Sequence, residues 1–203
     1  MGRPRRFEEP GGFYHVGTRG NDKQAIYVDS FDRRVFLALV RRSVERYGWR
    51  CHAWCLMTNH YHLVVELADC GLACGMRDLN GAFARFSNRR HRRIDHVFGK
   101  RYFAEHIDSE SYLLAASRYV VLNPVRAGIA DHPREWRWSS YHASAGLVTP
   151  PRFFALHRFL RLFDERPRYA MDAYRNFVEA GVADARAEAA ERRRAVPGTG
   201  TDV

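Results

Sequence analysis

Lysine, long apolar segments and secretory signals are scarce or missing in this chain. Only Lys23 and Lys100 are lysines, so arginine supplies nearly all of the 33 basic residues. No apolar segment reaches the roughly 20 residues that a membrane-crossing helix needs, and the amino end lacks the pattern of a signal peptide. We therefore expect a cytoplasmic protein with no membrane partner.

Cysteine is also rare, and the four cysteines form two C-x3-C pairs, Cys51 with Cys55 and Cys70 with Cys74. Zinc knuckles more often use C-x2-C spacing. Cys51 and Cys55 lie in an apolar, strand-like segment, where a spacing of four places both on one face as small buried residues. Since a reducing cytoplasm keeps thiols free, we predict structural cysteines and neither disulfides nor zinc.

Positive charge, in contrast, is abundant. The 33 basic residues outnumber 23 acidic ones, for a formal net charge of +10, while a hydrophobic fraction of 46% is normal for a folded domain. This balance favours a polyanionic partner, above all nucleic acid. Arginine's planar fork suits phosphates and base edges, although a GC-rich genome would also raise the arginine count.

Apolar periodicity predicts the element order β-α-β-β-α-β-α. The predicted strands cover residues 13–18, 49–57, 60–67 and 97–107, and the predicted helices cover 30–47, 75–91 and a segment from 109 to about 123. Ser30 is the expected N-cap of the first helix, and Asp108 or Ser109 that of the third. The order is that of an α+β, ferredoxin-like antiparallel sheet with one helix added.

The remaining segments flank this domain, which we place at residues 13–145. Residues 1–12 form a basic amino-terminal arm that carries Arg3, Arg5 and Arg6. The chain changes character at residue 146. Pro150-Pro151 then breaks it, and the amphipathic stretches that follow predict a helical extension over 146–190. The end of the chain lacks apolar periodicity, so we predict a disordered tail over 191–203.

His60 and His62 stand at the start of the third predicted strand. Residues i and i+2 of a strand point to the same face, so both imidazoles can reach one metal ion while Tyr61 points away. Two histidines at this spacing also arise by chance in a chain with 10 of them. The pair is therefore a partial metal site that needs a further ligand and a reactive group.

Tyr119 and Asn123 are candidates for these roles, because a spacing of four on the third helix places phenol and amide on one face. An amide oxygen can complete a Mg2+ or Mn2+ site with two imidazoles and leave positions open for phosphate oxygens. Two alternatives remain open. Asn123 followed by Pro124 also fits the start of a separate short helix, and Tyr119 fits a half-buried core tyrosine.

Several motifs in this order resemble one family. Met57-Thr58-Asn59-His60-Tyr61-His62 resembles the HUH motif of single-tyrosine transposases, in which U is a bulky hydrophobe. Further segments resemble the branch of REP-associated tyrosine transposases: Tyr14-His15-Val16 with Arg19-Gly20-Asn21, Arg118-Tyr119-Val120, Leu122 to Gly128, and Trp138-Ser139-Ser140-Tyr141. The family usually has proline where this chain has Thr58, which should alter the turn slightly and leave the histidines in place.

The resemblance implies a chemistry at the matching positions. His60, His62 and Asn123 would hold Mg2+ or Mn2+, and Tyr119 would attack a phosphodiester of single-stranded DNA. The products would be a 5′-phosphotyrosine and a free 3′-hydroxyl, which can later rejoin DNA. The implied partner is single-stranded DNA with a palindromic hairpin, the implied localisation is the cytoplasm at the nucleoid, and a monomer is favoured over a dimer.

The predicted DNA contacts are basic, amide and aromatic side chains. They are Arg19, Asn21, Arg85, Arg89, Arg90, Arg92, Arg93, Arg101, Arg118, Arg126, Trp138 and Tyr141. A solvated charged face is the alternative for any single arginine, and packing against the sheet is the alternative for the aromatic residues.

Two other functions compete with a transposase. A domesticated protein could bind hairpin DNA or RNA without cutting it. A replication initiator or relaxase could use the same histidine pair, but such proteins commonly have a larger chain, a third histidine or a fused helicase, and the short chain argues against this class.

Overall fold

The computed structural model describes residues 8–195, and the arginines of the predicted basic arm lie outside this range. Four strands and three long helices alternate through its first two thirds. The strands are β1 (Phe13–Arg19), β2 (Arg50–Leu56), β3 (His60–Glu66) and β4 (Phe103–Ile107), and the long helices are α1 (Ser30–Tyr47), α2 (Leu72–His91) and α3 (Glu110–Arg126). None of the helices in the described range is long and apolar enough to cross a membrane.

The strands form one antiparallel sheet in the order β2-β3-β1-β4. This is the order of a ferredoxin-like sheet, so the predicted α+β fold is confirmed. Strand β4 is shorter than predicted, because the chain before it forms a loop around the turn that follows β1. Val97 accepts a hydrogen bond from the Asn21 amide at 3.0 Å, and the Gly99 amide donates to the carbonyl of Arg19 at 3.2 Å.

Helices cover both faces of the sheet. On one face, α1 and α2 bury a core that includes Phe36, Phe83 and Tyr61. On the other face, α3 packs Leu113 and Val120 against a second, smaller core. The candidate site residues His60, His62 and Tyr119 lie on this second face, on or beside α3.

The ends of the helices depart from the predictions in two places. The N-cap of α1 is Asp29, whose carboxylate accepts from the amides of Phe31 and Asp32, and Ser30 is the first helical residue. Helix α3 starts after Ser109 as predicted and continues through Pro124 to Arg126, so the alternative of a separate helix capped by Asn123 is wrong. The Ala127 amide still donates to the Asn123 carbonyl at 2.9 Å, which continues the helical pattern past the proline.

Four further helices follow: α4 (Tyr141–Ser144), α5 (Leu156–Leu160), α6 (Pro167–Glu179) and α7 (Val182–Ala195). The prediction of disorder from residue 191 is wrong for 191–195, which belong to α7, and 196–203 lie outside the described residues. Helix α7 buries Val182, Ala185 and Ala189, at spacings of three and four. Alanine permits close helix packing but is only weakly hydrophobic. The apolar periodicity of the sequence therefore did not predict this buried face.

Candidate active site

Gly17 occupies the centre of the site in β1. It pairs with His62 of β3 on one side and with Phe103 of β4 on the other. A Cβ atom at Gly17 would lie 2.7 Å from the Phe103 ring and 2.2 Å from the Tyr61 carbonyl oxygen. Glycine is therefore required here, because it lets the Phe103 ring lie over the strand beside the histidines.

His60 and His62 share one face of β3, as predicted. Their ring centres are 5.0 Å apart. Tyr61 points into the opposite core, where it is fully buried and donates to the Asn80 side chain at 2.6 Å.

The amide of Asn59 orients the His60 ring. Its nitrogen donates to the Lys23 carbonyl at 2.7 Å, so its oxygen faces His60 Nδ1, also at 2.7 Å. Since an amide oxygen only accepts, His60 carries its proton on Nδ1 and its lone pair on Nε2.

Burial keeps both imidazoles neutral. Burial and the charge of Arg19 lower the pKa of His60 to about 4. Burial, with smaller contributions from His15 and the His60 ring, holds the pKa of His62 well below its usual range. Neutral imidazole is the form that ligates a metal ion, so the electrostatics of the pair fit that role.

Tyr119 of α3 lies beside this pair within the same chain. Its ring centre is 6.0 Å from that of His62 and 6.0 Å from that of His15. The Tyr119 side chain is 39% exposed, unlike a core tyrosine. The guanidinium of Arg126 also lies over its ring, at 5.1 Å.

Asn123 is one turn beyond Tyr119 and is nearly buried. Its side-chain nitrogen donates to the Tyr119 carbonyl at 3.1 Å, which leaves the amide oxygen free to accept or ligate. Within residues 8–195, no three His, Cys, Asp or Glu side chains are grouped to hold a metal ion. A metal site here would consist of two imidazoles and one amide oxygen, a donor set that fits Mg2+ or Mn2+ with open positions.

Two cavities meet at His62. One, of about 550 Å³, contains Tyr119, His15, Phe103, Glu105, Tyr112, Arg118 and Arg126 in its lining. The other, of about 520 Å³, contains Arg19, Asn21, Lys23, His60, Lys100 and Arg101. Both lysines of the chain therefore lie in one cavity with two of the predicted DNA-binding arginines. Sequence analysis did not single out these lysines.

The other predicted DNA-binding arginines, in and just after α2 and on α3, differ in their contacts. Arg90 binds Asp29 and the fully buried Asp32, so it stabilises the junction of α1 and α2, and its predicted role in phosphate binding is not supported. Arg85, Arg89, Arg92 and Arg93 are exposed. Arg118 has its guanidinium 4.4 Å from the Phe177 ring centre and donates to the carbonyl of the same residue.

The two predicted stacking residues differ in exposure. Trp138 is half-buried, with the guanidinium groups of Arg33 and Arg137 at 5.5 Å and 5.0 Å from its ring centre. Tyr141 is only 2% exposed and packs near Tyr174, so the prediction that it stacks on a DNA base is wrong. An aromatic side chain without a free face cannot stack on a base.

A comparison with known families shows the class of protein to which the chain belongs. The family model described as "Transposase IS200 like" matches residues 12–123, which is more than half of the chain. The chain therefore belongs to the IS200-like transposase family.

The chain is also similar to two REP-associated tyrosine transposases. It is 26% identical over 153 residues to the "Putative REP-associated tyrosine transposase" of Haemophilus influenzae, covering 70% of this chain and 86% of that protein. A solved structure of a REP-associated tyrosine transposase bound to a REP hairpin superposes with a TM-score of 0.62 at 16% identity. That match covers 76% of this chain and 92% of the other, and it shows that the two share a fold.

Proposed function

We propose that this protein is a REP-associated tyrosine transposase that cuts and rejoins single-stranded DNA beside a palindromic hairpin. The observation that carries the proposal is the approach of the half-exposed Tyr119 ring to the neutral His62 ring, at 6.0 Å in one chain. A phenol that approaches a metal-binding imidazole pair suits nucleophilic attack on a phosphodiester.

In the proposed reaction, the Tyr119 oxygen attacks the scissile phosphorus. A bond forms between the phenolic oxygen and phosphorus, and the bond from phosphorus to the 3′-oxygen breaks. The phenol loses its proton, and the departing oxygen gains one, so that a 3′-hydroxyl remains. Because the phosphotyrosine keeps a phosphoester bond, a 3′-hydroxyl can later attack it and rejoin DNA without ATP.

A divalent ion, Mg2+ or Mn2+, would supply charge neutralisation at the phosphate when bound. His60 and His62 would hold it through Nε2, and Asn123 would contribute its amide oxygen. Arg126 lines the Tyr119 cavity and would contact a phosphate oxygen there. The second cavity, with Arg19, Lys23, Lys100 and Arg101, would hold the strand on the other side of the histidines.

The test is a covalent-adduct assay. The protein is incubated with single-stranded REP-type hairpin oligonucleotides and Mn2+, and mass spectrometry locates any nucleotide adduct. We expect the adduct on Tyr119, and we expect Tyr119→Phe to abolish it. Tyr112→Phe is the matched control, because Tyr112 lies on α3 and lines the same cavity. An adduct on Tyr112, or normal cleavage by the Tyr119 variant, would show that the nucleophile is wrong.

A hairpin-binding protein without cleavage activity is the second candidate. The observation that favours it is the cavity with Arg19, Lys23, Lys100 and Arg101, because these basic side chains can bind phosphates without a metal ion. Tight, metal-independent hairpin binding with no adduct would establish this function.

A further inference from the structure

A third histidine contacts the candidate metal-binding pair. His15 Nε2 lies 2.9 Å from His62 Nδ1, and both side chains are nearly buried. The sequence placed His15 only in a motif, 47 residues before His62, and gave it no role. Strand β1 brings it there because Gly17, two residues on, pairs directly with His62.

The direction of this hydrogen bond follows from the next neighbour. His15 pairs with Glu105 of β4 in the sheet register, and a Glu105 carboxylate oxygen lies 3.9 Å from His15 Nδ1. A carboxylate attracts the proton of the neutral ring to the nitrogen that faces it. His15 Nε2 then carries a lone pair and accepts from His62 Nδ1, so the lone pair of His62 lies on Nε2.

The same arrangement is found at His60. There the Asn59 amide oxygen accepts from Nδ1 and leaves Nε2 unprotonated. Two unrelated acceptors, an amide and an imidazole, thus select one tautomer for both members of the pair. Partners of this kind orient ligating histidines and strengthen metal binding.

His15 itself is poorly placed to be a ligand. Its Nε2 is occupied by His62, and its Nδ1 faces Glu105. The rings of Phe103 and Tyr119, with centres 5.0 Å and 6.0 Å away, limit its rotation.

We propose that His15 is a positioning residue, which accepts the Nδ1 proton of His62 in a hydrogen bond and so directs the Nε2 lone pair of His62 towards the divalent ion. This inference rests on the proposed metal-binding role of His62. In this proposal β1 contributes the hydrogen-bond acceptor that orients His62, which neither β3 nor α3 supplies.

The first measurement uses the unmodified, metal-free protein. Nitrogen-15 NMR of the histidine rings reports which nitrogen of His62 is protonated, and we expect Nδ1–H. A dominant Nε2–H form would overturn the proposal without any need for a variant.

The second measurement compares His15→Leu with His15→Gln. Leucine removes the acceptor, whereas the glutamine oxygen can restore it. We expect His15→Leu to shift the His62 tautomer and to weaken Mn2+ binding, measured by EPR without DNA, by about 10–100-fold. His15→Gln should recover most of both. His106→Leu is the control on a neighbouring strand, since His106 pairs with Tyr14 and is exposed.

The outcomes separate this proposal from the proposed function. A folded His15→Leu protein with normal Mn2+ affinity would overturn the positioning role, as would a glutamine variant no better than leucine. If the unmodified protein binds Mn2+ through His62 in a His15-dependent way but forms no DNA adduct, the positioning role stands and the proposed nuclease activity fails. If it binds no Mn2+ at the pair, the positioning role is overturned with it.

Discussion

The guanidinium carbon of Arg126 lies 5.1 Å from the ring centre of Tyr119. The same guanidinium forms an ion pair with Glu188 of α7, so the carboxy-terminal extension contacts a residue that lies against the candidate nucleophile. In the proposed reaction, Arg126 would stabilise the negative charge that develops on the phosphate as Tyr119 attacks.

We predict that Arg126→Gln lowers the rate of adduct formation by roughly 10–100-fold, because one preorganised positive charge is lost from the transition state. Single-turnover kinetics with a hairpin substrate and Mn2+ measure this rate. Arg118→Gln is the matched control, since Arg118 lines the same cavity but packs on Phe177. Equal rates for the Arg126 variant and the unmodified protein would exclude this role.

A second prediction concerns the use of Tyr119 within its own chain. Tyr119 and His62 meet without a partner chain, so a monomer should hold a complete site. We expect a mixture of Tyr119→Phe and His60→Ala proteins to form no adduct, because neither chain has both groups. If the mixture regains activity, the tyrosine acts on a partner's site and the protein works as a dimer.

The third prediction separates two neighbouring arginines of α2. Arg89 is exposed, whereas Arg90 binds the buried Asp32. We expect Arg90→Gln to lower the midpoint of thermal unfolding. Arg89→Gln should leave stability within about 0.5 kcal/mol of the original. If Arg89 contacts a phosphate, its loss also reduces the slope of log affinity against log salt by about 1. An unchanged slope would make Arg89 a solvated surface residue.

Much of the fold was predictable because its signals are local. Apolar periodicity predicted β1 and β3 to within a residue at each end, and it predicted the end of α1 at Tyr47. The errors occur where distant contacts decide the structure. Residues 97–102 have strand-like composition, but their hydrogen bonds to the turn after β1 hold them as a loop.

The candidate site shows the same division. The spacing of His60 and His62, and of Tyr119 and Asn123, follows from strand and helix geometry, so each pair was predictable alone. The meeting of the two pairs was inferred from a resemblance, and the structure brings Tyr119 to His62. His15 was missed because its partner is 47 residues away. The sequence feature that indicates its position is the spacing of two residues between His15 and Gly17. This spacing places His15 beside His62 only once the register of β1 and β3 is known.

The last prediction concerns the attachment of the extension to the sheet. Glu66 at the end of β3 is nearly buried and binds Arg50, His52 and Arg158, the last of which belongs to α5. Burial raises the pKa of Glu66, but hydrogen bonds from His52 and Arg158 outweigh this effect and lower it to about 2. A carboxylate with a lowered pKa stabilises the fold above its unfolded pKa, near 4.3, and this contribution is lost as the pH falls towards 2.

We therefore expect Glu66→Gln to cost about 1–2 kcal/mol at pH 7, a modest value because both arginines are half-exposed. The difference between the two proteins should narrow steadily between pH 5 and pH 2. Urea unfolding at a series of pH values measures it, and Glu165→Gln, whose ion pair with Arg161 is exposed, is the control. A difference that stays constant down to pH 2 would mean that glutamine disturbs packing and that the charge of Glu66 contributes nothing.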